Sequence, residues 1–81
     1  MNIYVGSLSY KATEEDLRKE FEAIGRVDSV NIVKNRYSGE SRGFGFVEMP
    51  NKDEAQLAIE GLNGRELKGR RITVNEARLR S

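Results

Sequence analysis

The chain contains no cysteine and no histidine. The first absence excludes disulfides, thiolate metal sites and a cysteine nucleophile. The second removes imidazole bases, histidine-ligated zinc and the Ser-His-Asp triad. Tryptophan is also missing, and proline occurs once. No apolar run approaches the ~18 residues of a membrane-spanning helix. The opening residues, Met1-Asn2-Ile3-Tyr4-Val5, lack the basic and apolar regions of a secretory signal. A length of 81 residues suits one domain with a thin core, burying about 60–65% of its unfolded surface. Leu, Ile, Val and Phe supply 20 of those residues, more than disordered chains carry. The expectation is a single folded domain over residues 1–81, cytoplasmic, non-enzymatic, monomeric, with no membrane contact and no cofactor or metal.

The formal net charge of +1 comes from 14 Lys and Arg against 13 Asp and Glu, but the signs are segregated. Residues 11–24 carry Glu14, Glu15, Asp16, Glu20 and Glu22 against Lys11, Arg18 and Lys19. Residues 51–62 carry Asp53, Glu54 and Glu60 against Lys52. The excess turns positive in residues 34–42, through Lys34, Arg36 and Arg42, and in residues 63–81, through Arg65, Lys68, Arg70, Arg71, Arg78 and Arg80. Such asymmetry says more about partners than the total does.

The acidic segments read as helices. Thr13 and Asp16 have the spacing of a capping box, and Leu17, Phe21 and Ile24 follow on one helical face. Gly25 is a natural stop, which predicts a helix over 14–24. Asn51 and Glu54 repeat the start signal, and Ala55, Ala58, Ile59 and Leu62 repeat the stripe, which predicts a helix over 52–61. Strand alternation covers residues 2–6, 27–34, 42–49 and 71–76. Asn63-Gly64 and Lys68-Gly69 mark tight turns around a short extended piece near Leu67. Residues 35–41 form a polar loop. The order strand, helix, strand, strand, helix, strand is the α+β, ferredoxin-like split βαβ arrangement (βαββαβ). It predicts a four-stranded antiparallel sheet with two helices on one face.

Nothing remains to cover the other face. If Ile3, Val5, Val30, Ile32, Val47, Met49, Ile72 and Val74 meet the helices, alternation leaves Tyr4, Phe44 and Phe46 in the open, with Asn31, Arg42 and Asn75 around them. Exposed aromatics in a cluster are a liability unless something stacks on them. Flat rings beside cations and amides suit the bases of single-stranded nucleic acid. Gly43 and Gly45 weaken a normal strand. Beneath the two phenylalanines they are expected to allow close helix–sheet approach and extra twist.

Arg42-Gly43-Phe44-Gly45-Phe46-Val47-Glu48-Met49 resembles the ribonucleoprotein octamer of the RNA recognition motif family. Ile3-Tyr4-Val5-Gly6-Ser7-Leu8 resembles its hexamer partner, with Ser7 where that motif usually has Asn and Met49 where the octamer usually ends in an aromatic. The run from Ala55 to Gly64 is similar to the second helix and exit turn of the family, so the likeness covers about residues 2–77. It implies binding of single-stranded RNA. Tyr4 and Phe44 would each stack a base, Phe46 would lie against riboses, and Arg42 would pair with a phosphate. Asn75, Ala77 and Arg78 would read base edges, with Lys34 and Arg36 flanking the strand. The compact chain also resembles bacterial single-motif proteins. Three other readings compete. A cold-shock domain has a similar aromatic strand but no long helices. Small acyl-phosphate hydrolases share the layout, but Gly64–Arg71 lacks the Lys-Ser/Thr of a phosphate loop and precedes a strand. A protein-interaction module on the same fold, or binding of single-stranded DNA, remains open.

Overall fold

The structure, a computed structural model, describes residues 1–77. The elements run β1 (Asn2–Gly6), α1 (Glu14–Glu22), β2 (Ser29–Lys34), β3 (Ser41–Glu48), α2 (Lys52–Leu62), β4 (Glu66–Leu67), β5 (Arg70–Arg71) and β6 (Thr73–Glu76). β2, β3, β1 and β6, in that order, form a four-stranded antiparallel sheet. β4 and β5 pair separately as a small hairpin.

Both helices begin as their sequences dictate. The Thr13 hydroxyl accepts from the Asp16 amide at 3.1 Å, and the Thr13 amide donates to the Asp16 carboxylate at 2.9 Å. This reciprocal cap satisfies two amides that a helix start leaves without partners. At α2 the Asn51 side chain accepts from the Glu54 amide at 3.0 Å. The first helix ends earlier than its periodicity suggests: Ala23 is the C-cap, and Ile24 and Gly25 both donate to the Phe21 carbonyl. Gly25 is therefore not a left-handed stop. It is required because a β-carbon there would run into the Glu54 side chain, whose carboxylate accepts from the Arg26 amide at 3.0 Å.

The last predicted strand divides. Arg71 pairs with Glu66 in the hairpin, buried Ile72 is the pivot, and only Thr73–Glu76 joins the main sheet. The hairpin turns on Lys68 and Gly69, both at positive φ (53° and 88°), the backbone of a two-residue type I′ turn. β2 starts at Ser29 rather than residue 27, though Val27 is still buried.

The core lies between the sheet and the helices. Ile3, Val5, Ile32, Val47 and Val74 face Leu17, Phe21, Ala55, Ala58 and Leu62, with Met49 and Ile72 closing the ends. Alternation sends the intervening side chains to the opposite face, which no element among the described residues covers. On each edge strand one amide is held by a helix-side residue. Glu14 accepts from the Ile32 amide of β2, and Asn63 accepts from the Val74 amide of β6, each at 3.0 Å. Edge amides held in this way are not offered to another strand.

Candidate nucleic-acid interface

Strand register decides which side chains share the open face. Tyr4 of β1 stands directly opposite Phe46 of β3 on one side and Asn75 of β6 on the other. Phe46 in turn stands opposite Asn31 of β2. One row of side chains, Asn31, Phe46, Tyr4 and Asn75, thus crosses all four strands. Phe44 sits two residues further along β3 and completes a triangle. Its ring is 6.1 Å from Tyr4 at 31° and 6.2 Å from Phe46 at 90°, and Tyr4 and Phe46 are 6.0 Å apart at 65°. These separations fall within the range of favourable aromatic pairing, so the rings hold one another in place before any ligand arrives. Phe46 is the most open of the three at 37% exposure, while Tyr4 and Phe44 are half-buried.

Glycines shape this surface, though not as the sequence reading expects. Gly45 serves strand pairing, not helix packing: a β-carbon there would strike the Asn31 carbonyl of the neighbouring β2 backbone. Gly43 is needed for its backbone, at φ 85°, where side-chain-bearing residues are strained. Gly6 is the glycine that periodicity did not flag. A β-carbon on it would collide with the Tyr4 ring, so its absence lets that ring lie down along β1.

The charged residues are distributed around the triangle. Arg42 is exposed at the Gly43 end of β3. Lys34 lies beyond a bulge in the β2–β3 pairing, opposite Ser41, and lines a cleft toward the start of α1. It is therefore not part of the aromatic row. Arg36 is exposed in the loop between β2 and β3. Asn35 organises that loop by accepting from the Tyr37 and Ser38 amides at 2.8 and 3.1 Å. Ala77 donates its amide to the Asn2 carbonyl at 2.9 Å. That bond guides the chain out beside β1 and removes the Ala77 amide from base reading. Arg78 lies outside the described residues. Two cations of the basic C-terminal third turn away from the face altogether: Arg65 pairs with Glu20 at 3.2 Å and Lys68 with Asp16 at 3.9 Å, tying the hairpin to α1.

Past the aromatic row, toward the other end of the sheet, the face continues with Ser29, Glu48 and Asn2 in register. This end of the face therefore carries the Glu48 carboxylate. Among the described residues no group of three or more acidic side chains is placed to hold a metal ion, and no helix is long and apolar enough to cross a membrane.

Comparison with known proteins agrees with this geometry. The family model of the RNA recognition motif matches residues 3–73. RbpE of Nostoc sp., a protein named for RNA binding, is 48% identical over 80 residues, covering 99% of this chain and 81% of RbpE. A crystal structure of the RNA-binding protein PG1 superposes with a TM-score of 0.94 at 47% identity, covering 100% of this chain and 98% of the other. The Sxl-lethal protein, solved in complex with RNA, gives a TM-score of 0.92 at 31% identity over 99% of this chain and 48% of that one. With its aromatic row, its sheet order and these matches along nearly its whole length, the chain belongs to the RNA recognition motif family, a family of binding domains and not of enzymes.

Proposed function

We propose that the open sheet face binds single-stranded RNA, with two successive bases stacked on Tyr4 and Phe46. The observation that carries this reading is the row Asn31–Phe46–Tyr4–Asn75. It places two rings side by side and an amide at each end, where the edge of a stacked base ends. Asn side chains donate and accept, so they pair with base edges of either polarity. This divides the rings differently from the family likeness, which gave Phe44 a base and Phe46 the riboses. Phe46 is the more exposed ring and shares the row with Tyr4, whereas Phe44 is half-buried and edge-on to Phe46. Phe44 is better placed to meet the sugars that link the two bases.

Each base–aromatic stack is worth about 1–3 kcal/mol. Phosphates between and beyond the bases are met by Arg42 and by the exposed loop cation Arg36, which act as screened, sequence-independent attractors. Stacking and phosphate neutralisation need no cofactor. Two stacks set against the cost of ordering a flexible strand give an affinity of about micromolar order.

Calorimetric titration with a random-sequence RNA pool tests the reading. Phe46→Ala and Tyr4→Ala should each weaken binding by about 1–3 kcal/mol and keep a native circular dichroism spectrum. Unchanged affinity in both variants would overturn the stacking mechanism. Titration of a DNA pool of the same length shows whether the 2′-hydroxyl contributes. Equal affinity would assign the face to single strands in general.

A further inference from the structure

Asn63 follows α2, and Gly64 comes next, ahead of the β4–β5 hairpin. Of the six asparagines in the chain, Asn63 alone precedes a glycine. Asparagine is thermolabile because the backbone nitrogen that follows it can attack its side-chain amide carbon and close a five-membered ring. Glycine, with no side chain, hinders that attack least. Both residues are exposed, so water and hydroxide reach them.

The fold holds each participant away from the reaction. The Gly64 amide, which would supply the nucleophile, donates to the Ile72 carbonyl at 2.8 Å. The Asn63 side-chain oxygen accepts from the Val74 amide at 3.0 Å. The Asn63 backbone is extended, with ψ at 124°. Ring closure needs the Gly64 nitrogen eclipsed with the Asn63 β-carbon about the Cα–C bond, and the extended backbone turns it away. Both hydrogen bonds end on residues 72–74, where the chain passes from the hairpin into β6.

We propose that Asn63 is a latent self-modification site, held unreactive by residues 72–74 and released when that stretch opens. On opening, the Gly64 nitrogen gives its proton to hydroxide and bonds to Cγ of Asn63. The Cγ–Nδ2 bond breaks, and Nδ2 takes a proton from water and leaves as ammonia. Water then opens the ring. Cleavage of the new N–Cγ bond gives aspartate, and cleavage at the Asn63 backbone carbonyl gives isoaspartate. Nothing is oxidised or reduced; water is consumed and ammonia released. The isoaspartyl product lengthens the backbone by a methylene carbon and takes the acceptor away from the Val74 amide. β6 is loosened with it, together with Asn75, which β6 sets beside Tyr4.

Peptide mass spectrometry of the full chain, aged at mildly alkaline pH with and without urea, tests the proposal. In denaturing urea Asn63 should convert faster than the other five asparagines. In the folded protein it should convert about ten-fold or more slowly than in urea. Between these limits its rate should rise in step with hydrogen exchange at the Gly64 amide, because both reactions need the bond to Ile72 to open. Ile72→Ala, which weakens the pivot, should speed conversion without urea and leave the rate in urea unchanged. Equal rates in the folded and unfolded parent would overturn the gate, and so would a rate that ignores Gly64 exchange. An Asn63 that fails to convert even in urea would overturn the reactivity itself.

Discussion

The Tyr4 ring lies over Gly6, two residues along its own strand, in space that any β-carbon at position 6 would occupy. Gly6 is buried although it belongs to the uncovered face, because Tyr4 is its cover. The orientation of the Tyr4 ring is therefore set by the absence of a side chain two residues away.

Gly6→Ala should consequently lift or turn the Tyr4 ring without unfolding the domain, since the clash is with a movable side chain. RNA affinity should fall, by less than in Tyr4→Ala, whose expected loss is about 1–3 kcal/mol. A double-mutant cycle checks the coupling: in a Tyr4→Ala background the Gly6 substitution should cost nothing further. Additive losses would mean that Gly6 acts independently of the ring.

Binding should weaken with salt, but shallowly. Two to four phosphate contacts, at a slope of about −0.7 each for single strands, give roughly −1.5 to −3 in log affinity against log salt. Arg42→Glu should flatten the slope by about one contact. Lys52→Glu, on α2 and thus on the covered side of the sheet, should leave it unchanged. Equal flattening by both would place the RNA on the helices.

Ser7 holds a left-handed backbone, with φ at 56°, in the loop that follows β1. Asn tolerates this region better than Ser because its amide bonds locally to the backbone. Ser7→Asn should stabilise the fold by about 0.5–1 kcal/mol, a rise of about 2–8 °C in melting temperature for a chain of this size. A lower melting temperature would show that the Ser7 hydroxyl itself holds the turn.

Asp16 titrates below its ordinary value of 3.8, chiefly because it accepts the Thr13 amide, with the Thr13 hydroxyl and the Lys68 and Lys19 charges adding to the effect. A carboxyl depressed in the folded state stabilises the fold above its unfolded value. That contribution is lost as pH falls through the folded one. Asp16→Asn keeps an acceptor for the cap and removes the titration. Urea unfolding from about pH 5 down to about pH 2 should show a smaller loss of stability in Asp16→Asn than in the parent. Parallel curves would remove Asp16 from the acid response.

Much of the fold is legible in local patterning. Thr13, Asp16 and Asn51 mark helix starts because capping needs only residues three positions apart. The alternation of Phe44, Gly45, Phe46 and Val47 assigns faces because successive strand side chains point oppositely. Element ends are less legible. Leu17, Phe21 and Ile24 continue one stripe, yet α1 stops at Glu22, and Gly25 is set by its contact with Glu54, a neighbour 29 positions away, and not by a left-handed stop. The last strand breaks at Ile72 because Arg71 pairs with Glu66, and alternation looks the same on either side of that break.

By itself, then, the sequence determined the order of elements, the two faces of the sheet and which three aromatics share the face opposite the helices. Each of these follows from residue spacing along a single strand or helix. The tertiary structure decided what depends on register between strands. It aligned Phe46 with Tyr4, Asn31 with Phe46 and Asn75 with Tyr4. It also turned Arg65 and Lys68 toward α1 rather than toward the open face, and it brought Tyr10 to the end of β3 beside Gly43. No local pattern encodes these pairings, because the residues that meet are far apart in the chain and come together only when the strands pair and the core closes.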